Sequence, residues 1–249
     1  FPTTPELLEQ ESERILLEGD YEKYQTLTPE EWIKKVLDIQ ELLEENHPTS
    51  SARTSLLSKL GNLLVAAKEY EAAISSYEQA LKIKPDKHEA WYNQGNALMN
   101  LGRIEEAISS YDQGLKIKPD DHQAWNNRGN ALMNLGQIEE AISSYDQALK
   151  IKPDYHEAWN NRGYALEDLG RLEEAISSYD QALKIKPDDT RIFYNKACCY
   201  ALQGNLEQAI ENLQQAINLS PDKYREMAKT DSDFDKIRED ERFQALIQG

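Results

Sequence analysis

From residue 54 onward the apolar positions come in paired short runs, each with the spacing of one face of a helix. In residues 88–121 the first run passes through Ala90, Trp91, Ala97, Leu98 and Leu101, and the second through Ala107, Tyr111 and Gly114. The pair then starts again. Prolines mark the restart at Pro85, Pro119, Pro153, Pro187 and Pro221, always 34 residues apart. Residues 88–121 and 122–155 differ at only six positions. Five units follow: 54–87, 88–121, 122–155, 156–189 and 190–223.

Within a unit the residue types predict a helical hairpin. Position 15 carries Gly102, Gly136, Gly170 and Gly204, with Lys68 in the first unit. A glycine there can leave the helical region and end the first helix, helix A. The proline at position 32 cannot continue the backbone ladder and stops helix B. Small residues at positions 8, 20 and 27, such as Gly95, Ala107 and Gly114, let the two helices approach. Aromatic residues at positions 4 and 24, such as Trp91 and Tyr111, fill the remaining space. One hairpin cannot bury both its faces, so neighbours must stack.

The pattern W-x-x-x-G-x-x-L, then A-x-x-x-Y-x-x-A, then P resembles the tetratricopeptide repeat (TPR) in a bacterial-type tandem array. The match covers residues 54–223. The resemblance implies an all-α fold: a right-handed α-solenoid whose concave surface holds extended peptides or partner proteins. Residues 1–50 fall outside the period. Thr4-Pro5-Glu6 and Thr28-Pro29-Glu30-Glu31 read as helix starts, and Trp32, Val36, Ile39 and Leu43 form one stripe. They are expected to be an N-terminal helical cap or the remnant of a preceding domain. Residues 224–249 are expected to form one C-terminal capping helix, with Met227, Phe234, Ile237, Phe243, Leu246 and Ile247 turned inward.

A helix turns about 100° per residue, which puts positions 2, 5, 6, 9, 12 and 13 of helix A on one side. In the family this side lines the concave surface. Here it is rich in amides, which offer both donors and an acceptor. Position 6 carries Asn93, Asn127, Asn161 and Asn195, and position 9 carries Asn96, Asn130 and Tyr164. Position 5 adds Tyr92, Asn126, Asn160 and Tyr194, and position 13 adds Asn100 and Asn134. These are the candidate partner-binding residues. They resemble the asparagine ladder of the tetratricopeptide arm of O-linked N-acetylglucosamine transferases. Recent duplication would also have copied them along with everything else. The ladder reading expects Asn127→Ala and Asn161→Ala to weaken binding and to spare stability. The chaperone-tail clamp is not matched, because position 5 has no lysine and position 13 no basic residue. Cys198, at position 9, is expected in the groove or core, and Arg128 and Arg162, at position 7, on the core side with their heads reaching solvent.

Charge narrows the partners. The formal net charge is −17, with no lysine- or arginine-rich patch. Nucleic acid and anionic membrane surfaces are therefore poor partners, and a protein or peptide of basic or extended character is expected. The two cysteines are adjacent and fit a reducing, cytoplasmic setting. His88, His122 and His156 recur at position 1 as a row rather than around one metal, and D-S-D-F-D-K-I-R-E-D-E-R lacks the glycine and glutamate of a calcium loop. No phosphate-cradling loop or nucleophile triad is present. The expectation is a non-enzymatic scaffold without cofactor or metal. The alternative is the recruiting arm of a larger enzyme, such as a peptidase or glycosyltransferase, and a third reading is a self-assembling element.

Overall fold

The computed structural model describes residues 49–248 together with Glu31, Lys34, Leu37, Asp38 and Ile39. The described elements are helices α1 (Ser50–Ala66), α2 (Tyr70–Ile83), α3 (His88–Asn100), α4 (Ile104–Ile117), α5 (His122–Asn134), α6 (Ile138–Ile151), α7 (His156–Asp168), α8 (Leu172–Ile185), α9 (Thr190–Leu202), α10 (Leu206–Leu219), α11 (Pro221–Thr230) and α12 (Glu241–Gln248), with a 3₁₀ turn at Ser232–Phe234. Among the described residues there is no strand, and no helix is long and apolar enough to cross a membrane. Two compact units divide the chain, Phe1–Ala131 and Leu132–Gly249.

Each hairpin forms as the residue pattern requires. Gly102 has φ +73°, a left-handed value that costs an L residue strain. There its N–H donates to Met99 and that of Arg103 to Leu98, which closes the end of α3. Lys68 holds the same conformation, at φ 64°, without glycine's freedom. The close approach of the two helices explains position 8. A Cβ on Gly95 would lie 2.5 Å from Cε1 of Tyr111, a ring that is 1% exposed. Trp91, Trp125 and Trp159 reach back across the repeat boundary, and each indole N–H donates to the proline carbonyl of the preceding unit, at 2.8, 2.9 and 2.9 Å.

In the first unit α1 packs on α2, α2 on α3, and α3 on α4. Ala73, Tyr77, Ala90, Leu98, Ala107 and Tyr111 make one core there. Ile39, 2% exposed, packs with Leu56, Leu60 and Leu63 of α1. Trp32, Val36 and Leu43, the rest of the expected stripe, and both proline-headed helix starts lie outside the described residues apart from Glu31.

In the second unit α6 packs on α7, α7 on α8, α8 on α9, and α9 on α10. The C-terminal segment is two helices, not one. α11 begins at Pro221, whose fixed φ suits a first helical position. It ends before Asp231, which caps the 3₁₀ turn by accepting from the Asp233 N–H. After the turn, α12 returns on α10 and α11. The inward residues are largely those expected: Phe234, Ile237, Phe243, Leu246 and Ile247 are buried, but Met227 is 40% exposed.

Candidate functional site

The helix-A face of the first unit opens onto a cleft of about 430 Å³ lined by Asn62, Val65, Tyr77, Tyr92, Asn93, Asn96, Asn100 and Gln123. Four of the candidate residues, Tyr92, Asn93, Asn96 and Asn100, come together here. Val65 and Gln123 belong to the same wheel face, at positions 12 and 2. Tyr77 enters from helix B.

The asparagines are tied to one another. Asn62 Oδ1 accepts from the Tyr77 hydroxyl at 2.7 Å and from Asn93 Nδ2 at 2.9 Å. One repeat later, Asn96 Oδ1 accepts from the Tyr111 hydroxyl at 2.7 Å and from Asn127 Nδ2 at 2.9 Å. Asn62 and Asn96 are thus each a hub between the tyrosine of its own hairpin and the position-6 asparagine of the next. Asn127 also donates to the Tyr92 hydroxyl at 3.1 Å. Asn126 is buried, with its amide toward Asn127 at 3.3 Å, whereas Asn100 is exposed and donates to the Asn96 carbonyl at 2.8 Å. Asn130 is half-buried.

The second unit rewires the hub. Position 9 is Tyr164, which is 52% exposed, and the Tyr179 hydroxyl donates instead to Glu167 Oε2 at 2.8 Å. Asn195 lies beside the Tyr179 hydroxyl. Asn160 donates to Asn161 at 3.4 Å, and its own Oδ1 is buried without a hydrogen-bond partner. Asn134 is exposed. Tyr194 and Cys198 are both 4% exposed, so neither stands free in a groove: the Tyr194 hydroxyl donates to Asp231 Oδ2 at 2.7 Å, and Cys198 Sγ lies 3.9 Å from the same oxygen.

Position 7 points to helix B, not to the groove. Arg128 pairs with Asp112, Arg162 with Asp146 and Lys196 with Asp180, at 2.7, 2.7 and 2.6 Å, and each acid belongs to the preceding repeat. These half-exposed pairs fix register more than they stabilise.

Ligand atoms of Glu167, Cys198 and Asp233 lie within 4.8 Å of one another, close enough to be drawn onto one metal ion. Their protons account for the cluster equally well. Burial, with Asp233 nearby, pushes the Glu167 carboxyl up to about 7. Burial also raises the Cys198 and Cys199 thiols. Neither thiol is a nucleophile at neutral pH.

Residues 38–232 match the family described as "Cilia and flagella-associated protein 70 C-terminal domain", a tetratricopeptide family. The chain belongs to it. No curated protein matches the chain. Among solved structures, YrrB, described as a TPR protein with an unusual peptide-binding site, is similar at 27% identity and TM-score 0.63, over 74% of this chain and 93% of that one. MamA is similar at 22% identity and TM-score 0.63, over 66% and 96%. Residues 41 to the end of MamA from Desulfovibrio magneticus RS-1 give 20% and 0.64, over 67% and 94%. The all-α TPR solenoid class is therefore the chain's fold, and in general terms it is a protein-interaction scaffold.

Proposed function

We propose that the chain binds a segment of a partner protein against helix A of its repeats, chiefly in the cleft between the first two. One observation carries this reading. That cleft is the place where amide and hydroxyl groups of Tyr92, Asn93, Asn96 and Asn100 converge beside the apolar Val65. A few convergent polar groups in a concave site are what fixes a ligand's orientation. Inter-repeat bonds occupy the oxygens of Asn62 and Asn96, so binding falls to the groups that remain: the amide nitrogen of Asn96, the Tyr92 hydroxyl, Asn100 and Gln123. The ladder is thus first a clip between repeats and only in part a surface for a ligand. The net charge of −17 favours a partner that is basic outside the contact itself. YrrB's description as a peptide binder supports the same reading.

A photo-crosslinking residue in place of Gln123 tests it. It should capture the partner, and the same residue in place of exposed Ser109 should not. Equal capture from both positions would contradict the reading.

A further inference from the structure

Tyrosine stands at position 5 in two repeats, Tyr92 and Tyr194. What covers them differs. In the second unit the turn 231–233 sits on the positions that line the cleft of the first. Asp231 accepts the Tyr194 proton at 2.7 Å and lies 3.9 Å from Cys198 at position 9. Its other oxygen accepts from the Asp233 N–H at 3.1 Å, so Asp231 heads a tight turn. Two residues on, Asp233 stands beside Glu167 at position 12 of the repeat before.

In the first unit the corresponding residues are Tyr92, Asn96 and Val65, and all three line the open cleft. The Tyr92 oxygen accepts from Asn127 at 3.1 Å, with the Asn96 side chain beside it. Among the described residues, no acceptor takes its proton. Burial raises its pKa, so that proton stays in place at neutral pH. A half-buried hydroxyl with an unused donor favours a ligand that supplies an oxygen.

We propose that this cleft takes a partner turn headed by an asparagine, whose side-chain oxygen accepts the Tyr92 proton, with an apolar residue two positions further on against Val65. The chain's own turn shows the geometry, and one substitution together with the charge of the cleft sets the chemistry. Val65 in place of Glu167 exchanges a carboxyl neighbour for an apolar one. The cleft has no lysine or arginine among its lining residues, and the chain carries −17, so a neutral amide oxygen is accepted where a free carboxylate is repelled. The inference rests on the helix-A face being the binding face.

The test uses a labelled synthetic peptide of residues 226–240 carrying Asp231→Asn and Asp233→Leu, titrated by fluorescence anisotropy against the full chain. Saturable binding is expected, weakened about tenfold or more by Tyr92→Phe, the loss of one hydrogen bond to a well-fitted group. An alanine at the asparagine position of the peptide should weaken it equally. Val65→Arg should shift preference toward a peptide that keeps Asp233, a readout that does not depend on Tyr92→Phe folding normally. Absence of saturable binding, or binding indifferent to Tyr92→Phe and to the alanine peptide, would overturn the inference. Binding lost with Asn100→Arg but indifferent to Tyr92→Phe overturns this turn alone and leaves the cleft as the binding face. Binding indifferent to both overturns the two together.

Discussion

The side chain of Asn127 donates to Oδ1 of Asn96, 2.9 Å away across the boundary between two repeats. That oxygen also takes the proton of Tyr111, whose ring is 1% exposed. The bond holds successive hairpins at a fixed register, because it forms only when position 6 of one repeat meets position 9 of the one before.

Asn96→Ala leaves the buried Tyr111 hydroxyl without its acceptor and takes from the Asn127 amide one of its two. It should cost about 1–3 kcal/mol in urea unfolding, the penalty of stranding a buried donor. Asn100→Ala, on the same face but bonded only to its own helix, should change stability by less than about 0.5 kcal/mol. Asn127→Ala, expected from sequence to spare stability, should instead destabilise. Equal small effects at Asn96 and Asn100 would mean that the clip does not hold the repeats.

Two glycines in neighbouring helices should respond in opposite ways. Gly95→Ala drives a methyl to 2.5 Å from the Tyr111 ring and should cost about 1–3 kcal/mol. At Gly114 the nearest atom to an added Cβ is Trp91 Cβ, at 3.4 Å, an ordinary contact. Gly114→Ala should therefore stabilise by about 0.5–1 kcal/mol, since helix-interior glycine costs that much relative to alanine. Thermal unfolding of the two single variants checks both signs.

Stability of the second unit should depend on pH through Glu167. Its folded pKa of about 7 lies above its ordinary value of 4.5. Between these values the folded chain keeps a proton that the unfolded chain has released, so this group's contribution falls as pH rises from 4.5 to 7 and is fully lost above it. Glu167→Gln removes the penalty. At pH 8 the variant should be more stable than the native chain by at most roughly 2–3 kcal/mol, and the gap should close below pH 5. A gap of the same size at both pH values would show that Glu167 does not titrate in this way.

The hairpins were legible because glycine, proline, alanine and aromatic residues recur at fixed positions, each with a steric reason. The candidate face was legible as a face, since the helical wheel placed Tyr92, Asn93, Asn96 and Asn100 together. The use made of its amides was not. The wheel treats each helix alone, whereas Asn96 is defined by Tyr111 on the partner helix and Asn127 on the next repeat. A signal for this was present in the sequence. Position 9 is asparagine in the first three units, all with tyrosine at position 24, and the two change together to Cys198 and Leu213 in the fifth. The wheel puts Tyr194 on the groove side and leaves Cys198 to groove or core, because it does not show that Asp231 returns to cover them. One capping helix was expected because the apolar positions of 224–249 suit a helix, but the aspartates at 231, 233 and 235 favour a turn in its middle.

The most direct measurement of the central claim is the affinity of the partner captured by the native chain for a double variant, Asn100→Arg with Gln123→Arg. Both residues line the cleft, and among the described residues no side-chain hydrogen bond of either joins two repeats, Gln123 bonding Asp121 through its backbone N–H alone. Binding should weaken by about tenfold or more, the effect of placing bulk and charge in a contact, with thermal unfolding essentially unchanged. Native affinity in a variant whose cleft is filled would contradict the claim.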